Sequence, residues 1–251
     1  MGKVDLKIDW ATHEAAKYAC LHWHYSGCIP KSKLVKIGVW ENDVFKGVII
    51  FSYGATPDLV KPYGLSMIEG CELTRIALRD HFTPVSRMIS IALKFLKKNS
   101  PGLRLVVSFA DPNENHHGGI YQATNWIYTG RSQGCYFYRD KHGKIWHPRN
   151  VSENLSLSGK CIKPSQCEKI WKEGKHRYLM PLDDEMRKRI EPLRKPYPKR
   201  DKQAIGSYQE HSGGAAPTVT LQNKRPKQAM TGDQPEQREC SAHPDAPIQE
   251  E

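Results

Sequence analysis

The thirty residues TPVSRMISIALKFLKKNSPGLRLVVSFADP, numbered 83–112, contain the clearest structural pattern in the chain. Thr83 followed by Pro84 is typical of a helix start. The apolar residues that follow recur with a period of roughly 3.6 residues, at Val85, Met88, Ile89, Ala92, Leu93 and Leu96. After a stop at 99–102, the apolar run 103–109 is typical of a strand that is covered on both faces. This stretch therefore predicts a helix followed by a buried strand, as in an α/β domain.

The flanking sequence predicts a sheet around this pair. Upstream, Thr12 is a suitable cap for a first helix that ends near residues 22–26. Three strands follow, of which the first two form a hairpin across Glu41-Asn-Asp43, at 36–40, 44–53 and 71–78. Downstream, we expect a short helix and three strands, at 120–126, 127–129, 135–138 and 144–146. The order predicts a mixed, mostly antiparallel sheet flanked by helices.

The composition is that of a soluble protein. Hydrophobic residues make up 38% of the 251 residues and charged residues 26%, and no apolar run approaches the roughly 18 residues of a membrane span. The first ten residues carry alternating charges and no apolar stretch, so a secretory signal is not expected. We therefore expect a cytoplasmic protein with no membrane partner.

The positive charge is concentrated in one part of the chain. Of the net charge of +11, Arg139–Lys202 holds 18 basic and 9 acidic residues. We expect a folded domain over 1–150, a basic extension over 151–202 that is a candidate for phosphate contact, and a disordered tail over 203–251. A basic segment of this size is suited to a phosphate backbone, although a solvated surface explains the charge equally well.

The seven cysteines indicate reduced thiols rather than a metal site. Their spacing contains no CxxC pair, so a zinc ribbon has little support. No residue of the sequence is assigned to a metal.

Asp111 is the first candidate for chemistry. It follows the buried strand, and Pro112 favours an extended conformation at this position. Its carboxylate is therefore expected at the end of the strand, where ligands of α/β sheets bind and where it could accept a proton from an amine. The alternative is a structural role, in which Asp111 caps the following turn.

The start of the helix at Pro84 is a candidate anion site. Its first backbone amides, including that of Ser86, lack partners within the helix and carry partial positive charge. Arg87 would strengthen binding of a phosphate or carboxylate. Water occupies most such helix ends, which is the alternative.

Three further residues could act as acids or bases. His24 and Tyr25 lie at the end of the first helix, and Tyr121 lies on the short helix after the Asp111 loop. The sequence by itself favours the structural alternatives, which are packing or a local hydrogen bond for His24 and Tyr25 and a half-buried core position for Tyr121. Tyr121 could also be a stacking platform.

Several segments together resemble the Mom family of phage DNA-modification proteins. The most specific are Val107-Ser-Phe-Ala-Asp-Pro112 and His117-Gly-Gly-Ile-Tyr-Gln-Ala-Thr-Asn-Trp126. Supporting segments are His24-Tyr-Ser26, Glu72-Leu-Thr-Arg75, Thr83-Pro-Val-Ser86 and Tyr128-Thr-Gly130.

The resemblance implies a GNAT-like acyltransferase fold and a specific reaction. Family members carbamoylmethylate the exocyclic 6-amino group of adenine in DNA, which protects phage DNA from host restriction. By position in the motifs, the resemblance implies functional roles for six residues: His24, Tyr25, Arg75, Ser86, Asp111 and Tyr121. It implies double-stranded DNA as partner and the host cell cytoplasm as location, with a homodimer as one option for assembly.

The donor of the transferred group stays open. The glycine-rich pyrophosphate loop typical of acetyl-CoA-binding GNAT enzymes is replaced here by Leu78-Arg-Asp-His-Phe-Thr-Pro84. Acetyl-CoA or another activated acyl or aminoacyl donor is expected, bound through Arg75, Ser86 and Arg87. The family has also been discussed as iron-dependent.

Two other functions are compatible with the sequence. One is a GNAT N-acyltransferase acting on a protein or small-molecule amine, which would be active without DNA. The other is a non-enzymatic DNA-binding protein, which would leave nucleosides unchanged.

Overall fold

The computed structural model of the protein describes residues 4–155, 159–160 and 162–199. The chain divides into two structural units. The described part of the first unit comprises 4–57 and 72–100, and that of the second comprises 58–71 and 101–199. The tail expected over 203–251 lies outside the described residues.

The first unit contains four strands, each antiparallel to the next, and two helices. The strands are β1 (Leu6–Trp10), β2 (Leu34–Glu41), β3 (Val44–Ser52) and β4 (Gly70–Leu78). The residues of β4 from Glu72 onward belong to this unit. The helices are α1 (His13–Trp23) and α2 (Val85–Asn99). The hairpin turn at Asn42 and Asp43 has φ values of 50° and 61°, as a two-residue turn that follows the twist of its strands requires.

The two helices begin close to where the sequence predicts. The Thr12 side chain accepts the Ala15 amide at 3.2 Å and caps α1. The predicted apolar face of α2 is buried from Met88 to Leu96. The predicted cap of α2 is wrong by one residue, since Pro84 rather than Thr83 is the N-cap and provides no side-chain bond. Thr83 is instead buried, and its amide donates to the Glu41 carboxylate at 2.7 Å.

The described residues of the second unit contain six strands in two groups of three, the first belonging to a seven-stranded sheet and the second forming a separate sheet. In the first, β10 (His176–Pro181) lies between β5 (Leu105–Ala110) and β6 (Ile127–Arg131) and is antiparallel to both. In the other, β7 (Cys135–Arg139) lies between β8 (Ile145–Trp146) and β9 (Glu168–Lys172), again antiparallel. The helices of this unit include α3 (Gly119–Gln122) and α4 (Asp184–Ile190).

One face of the β5–β10–β6 sheet forms the core of the second unit. Leu105, Val107, Ile127 and Leu179 pack there against Met186 and Ile190 of α4. The stretch 151–199 therefore completes a sheet and a core, which its basic composition does not predict. The boundary expected at residue 150 falls between β8 and β9, within this unit. The predicted α/β class with a mostly antiparallel sheet is confirmed by these pairings.

The Glu41 carboxylate holds the loop before α2 by accepting the amides of Phe82 and Thr83. Burial opposes ionisation of its carboxylate, but hydrogen bonds from Phe82 and Thr83 outweigh it, and the pKa lies below its ordinary value of 4.5. The carboxylate therefore stabilises the fold above about pH 4.5, and this contribution is lost as the pH falls through the lowered pKa.

We expect Glu41→Gln to lower the free energy of unfolding by about 2 kcal/mol at pH 7, because the amide group can accept only one of the two N–H bonds. The difference from wild type should shrink at pH 3.5. Thermal unfolding at both pH values measures this, with the exposed Glu114→Gln as control. A deficit that is equal at both pH values would contradict the ionic role.

Candidate active site

The carboxylate of Asp111 lies directly after β5 and is held by two neighbours. Its Oδ1 accepts the amide of Asn113 at 3.0 Å and the Asn113 side chain at 2.8 Å. Its Oδ2 lies 3.1 Å from the Lys175 ammonium. Asp111 therefore does cap the next turn, as the structural alternative predicts, and in addition it forms an ion pair.

The surroundings of Asp111 keep it ionised. Burial opposes ionisation, since only 13% of the side chain is exposed, but the hydrogen bonds from Asn113 and the charge of Lys175 outweigh it. The pKa of Asp111 consequently lies below its ordinary value of 3.8. At neutral pH the group is an anionic hydrogen-bond acceptor next to a half-exposed cation.

Two chain connections converge on this carboxylate. Asn113 and Glu173 exchange hydrogen bonds between the Asn113 side chain and the Glu173 backbone, at 3.1 and 3.3 Å. Ser132 and Lys175 are also joined by two hydrogen bonds. The Ser132 amide donates to the Lys175 carbonyl and the Lys175 amide donates to the Ser132 hydroxyl, both at 2.9 Å. The β6–β7 and β9–β10 connections are thereby fixed beside Asp111.

A cluster of hydroxyl groups covers the other face of the β5–β10–β6 sheet. Tyr178 is the register partner of both Ser108 and Tyr128. The Ser108 hydroxyl donates to that of Tyr121 at 2.8 Å, and the Tyr178 hydroxyl donates to the His117 carbonyl at 2.6 Å. Burial raises the pKa of Tyr178 to about 12. The predicted site residue Tyr121 is thus a buried residue of α3 that is bonded to Ser108 of β5, three residues before Asp111.

His176 extends the cluster toward Asp111. Its Nδ1 lies 2.9 Å from the Tyr128 hydroxyl, and its Nε2 lies 3.4 Å from the Arg131 guanidinium. A guanidinium can only donate, so Nε2 accepts and the neutral ring carries its proton on Nδ1. Burial, assisted by the charge of Arg131, lowers the pKa of His176, so that the ring is neutral at pH 7.

Sequence analysis does not identify Lys175, His176, Tyr128 or Tyr178 as site residues. Lys175 and His176 are more than 60 positions from Asp111 in the chain. Only the insertion of β10 between β5 and β6 brings them to it.

His24 and Tyr25 belong to the first unit and lie together at the end of α1. Their ring centroids are 4.3 Å apart. The Ser26 amide donates to His24 Nδ1 at 3.1 Å, so the neutral ring carries its proton on Nε2. Tyr25 is 55% exposed. His24 itself is partly buried, and an acid–base role for the pair stays a prediction.

Arg75, Ser86 and Arg87 also belong to the first unit. Arg75 lies on β4, and its Nη1 donates to the Thr74 carbonyl at 2.8 Å. Its Nε is buried and has no hydrogen-bond partner among the described residues. A buried donor in this state is suited to an anionic ligand. Ser86 and Arg87 lie in the first turn of α2, where Arg87 is exposed.

The loop that precedes α2 does not fit the pyrophosphate of CoA. The Glu41 carboxylate already accepts the amides of Phe82 and Thr83, at 2.9 and 2.7 Å. A diphosphate would have to displace this buried anion. For iron, the described residues include no group of three or more His, Cys, Asp or Glu side chains that could hold a metal ion.

Sequence similarity to known proteins defines the class to which this protein belongs. The sequence profile of the Mom protein family matches residues 5–199, and the chain belongs to this family. A relative is the methylcarbamoylase Mom of Escherichia phage Mu, which is 26% identical over 208 residues, covering 79% of this chain and 86% of the relative.

Two solved structures align with this chain at low similarity. A candidate acetyltransferase from Acinetobacter baylyi ADP1 has a TM-score of 0.42 and 10% identity, covering 80% of this chain and 99% of its own. FeeM, an N-acyl amino acid synthase from uncultured soil microbes, has a TM-score of 0.42 and 10% identity, covering 74% and 94%. The fold class of this chain rests on its own strand pairing. No helix among the described residues is long and apolar enough to cross a membrane.

Proposed function

We propose that this protein is a transferase that modifies DNA by adding a carbamoylmethyl-type group to the exocyclic 6-amino group of adenine. The observation that carries the proposal is the ionised Asp111 carboxylate, held at the end of β5 by Asn113 and Lys175. Membership of the Mom family and the methylcarbamoylase relative support the class of reaction.

The chemistry requires an acceptor for an amino proton. The 6-amino nitrogen of adenine is a weak nucleophile because its lone pair is delocalised into the ring. A carboxylate that accepts one N–H bond returns electron density to the nitrogen. As the nitrogen lone pair forms a bond to the electrophilic carbon of an activated donor, the donor's leaving group departs with the bonding electrons. The surplus amino proton leaves through the Asp111 carboxylate.

The lowered pKa of Asp111 defines its part in this step. A strongly ionised carboxylate is a good hydrogen-bond acceptor and a weak base, so Asp111 orients and polarises the amino group and holds the proton only in transit. Within the second unit, Tyr121 is proposed to assist the proton transfer, and His24 and Tyr25 of the first unit are proposed as further acid–base groups. Arg75, Ser86 and Arg87 are proposed to hold the negatively charged part of the donor.

The DNA partner is supported by charge. The stretch 131–175 contains ten Lys and Arg residues and four Asp and Glu residues, which suits contacts to phosphates. We propose that residues 151–199 both complete the second unit and contact DNA. The adenine must leave the duplex stack to reach a protein site, at a cost of a few kcal/mol. Modification of phage DNA in the host cytoplasm would then protect it from restriction.

The test is expression in a bacterium, followed by digestion of its DNA to nucleosides and mass spectrometry. We expect a mass-shifted deoxyadenosine with the wild type and none with Asp111→Ala, whose DNA affinity should remain within about twofold. If the wild type binds DNA but leaves the nucleoside profile unchanged, the protein is a DNA-binding protein instead of an enzyme. Acyl transfer to amines without DNA would identify the alternative enzyme.

A further inference from the structure

The small sheet β8–β7–β9 presents four aromatic side chains on one face. In its register, Tyr136 is opposite Trp171, and Tyr138 is opposite both Lys169 and Trp146. Directly paired residues point to the same side of a sheet, and so do residues two apart in a strand. These five side chains therefore form one surface, which we call the aromatic face.

The end of the aromatic face that carries Tyr136 and Trp171 is exposed. Tyr136 is 51% and Trp171 55% exposed, and their ring centroids lie 5.0 Å apart at an interplanar angle of 70°. A Cβ atom added to Gly134 would lie 2.6 Å from the Trp171 ring, so the indole rests on the backbone there and is fixed in place. Two large, ordered and exposed rings side by side are more typical of a binding surface than of a folding requirement.

Two lysines lie on or beside this face. The Lys144 ammonium lies 3.9 Å from the centre of the Trp146 ring, and Lys169 lies on the face itself. The Trp146 indole also donates to the Asp140 carboxylate at 2.8 Å. Within the described part of the chain, no ion pair includes Lys144 or Lys169. Aromatic rings interleaved with unneutralised cations match a strand of nucleic acid, whose bases stack on the rings while its phosphates meet the cations.

The aromatic face is connected to the candidate active site through a short segment. β9 ends at Lys172, and the next three residues include Glu173, which bonds Asn113, and Lys175, which pairs with Asp111. Trp171 thus lies four residues before the cation that contacts the Asp111 carboxylate.

We propose that the aromatic face stacks on unpaired nucleobases of DNA and so holds the nucleotides that flank an extruded adenine. This rests on the proposed DNA substrate. Phosphate contacts alone would require the lysines but not the exposed rings, so the two modes of binding differ in a measurable way.

The test combines two variants with two probes. The variants are Trp171→Ala and, as matched control, Trp10→Ala, because Trp10 is 52% exposed and contacts Phe95 edge-on at 4.9 Å. The probes are a fluorescent oligothymidylate and an abasic strand of the same length and charge. Binding is measured by anisotropy at several salt concentrations, and thermal unfolding confirms that each variant is folded.

We expect Trp171→Ala to weaken binding of the oligothymidylate about tenfold, with an unchanged salt dependence, and to leave binding of the abasic strand unaltered. Trp10→Ala should bind both probes as the wild type does. Equal losses on both probes, or none, would overturn the stacking proposal while DNA modification stands. If the wild type binds neither these probes nor duplex DNA, the proposed function itself fails.

Discussion

We expect the Asp111→Asn variant to modify DNA at least about a hundredfold more slowly than the wild type, with unchanged affinity for DNA. Asparagine has the same shape and keeps an oxygen that can accept the Asn113 bonds seen at 2.8 and 3.0 Å. It removes the negative charge that faces the developing positive charge on the adenine nitrogen. A hundredfold loss corresponds to about 2.7 kcal/mol, which is typical for one charged hydrogen bond at a reacting centre.

Initial rates on duplex DNA, followed by mass spectrometry of nucleosides, measure this effect. Lys175→Met is the matched control, because it removes the ion pair at 3.1 Å and leaves the carboxylate. Lys175 holds the pKa of Asp111 down, so its loss raises that pKa and moves the acid limb of the pH–rate profile to higher pH. An Asp111→Asn rate within threefold of wild type would assign Asp111 a capping role alone.

Gly118→Ala is expected to lower the free energy of unfolding by about 3 kcal/mol. Gly118 has a φ of +84°, a conformation that costs other residues about 1–2 kcal/mol. An added Cβ would also lie 2.3–2.5 Å from the ring and hydroxyl of Tyr178, which adds an overpacking cost of about 1–3 kcal/mol. Because Tyr178 is fully buried in the hydroxyl cluster, the strain acts on that cluster.

Gly143→Ala separates the two contributions. Gly143 has nearly the same φ, +80°, but nothing lies within 4 Å of an added Cβ. We expect it to cost only the conformational part, about 1 kcal/mol. Denaturant unfolding of both variants makes the comparison, and equal losses would show that the predicted contact with Tyr178 is relieved at no cost.

Local patterns in the sequence predict most elements of the fold. The cap at Thr12, the apolar period of α2 and the hairpin turn at Asn42 each depend on residues close together in the chain, and each is observed. The cap of α2 is displaced because a distant residue, Glu41, takes the Thr83 amide. Long-range contacts of this kind leave no trace in local propensity.

The candidate site is predictable only in part, for the same reason. Asp111 is identified by its place after an apolar strand, a local feature. Its ion pair with Lys175 depends on β10, which returns from far along the chain to lie between β5 and β6. Positive charge in 151–199 suggests an appended surface, whereas buried residues such as Leu179 and Met186 show that the stretch is also part of the core.

The central claim is that an ionised carboxylate at the end of β5 activates the amino group of adenine. It is tested most directly by tandem mass spectrometry of nucleosides from cells grown with adenine labelled at the 6-amino nitrogen. We predict that wild-type protein yields a deoxyadenosine whose added mass fragments together with the labelled nitrogen, and that Asp111→Asn yields at most about one hundredth as much. Added mass on another atom, or an undiminished yield from the variant, would contradict the account.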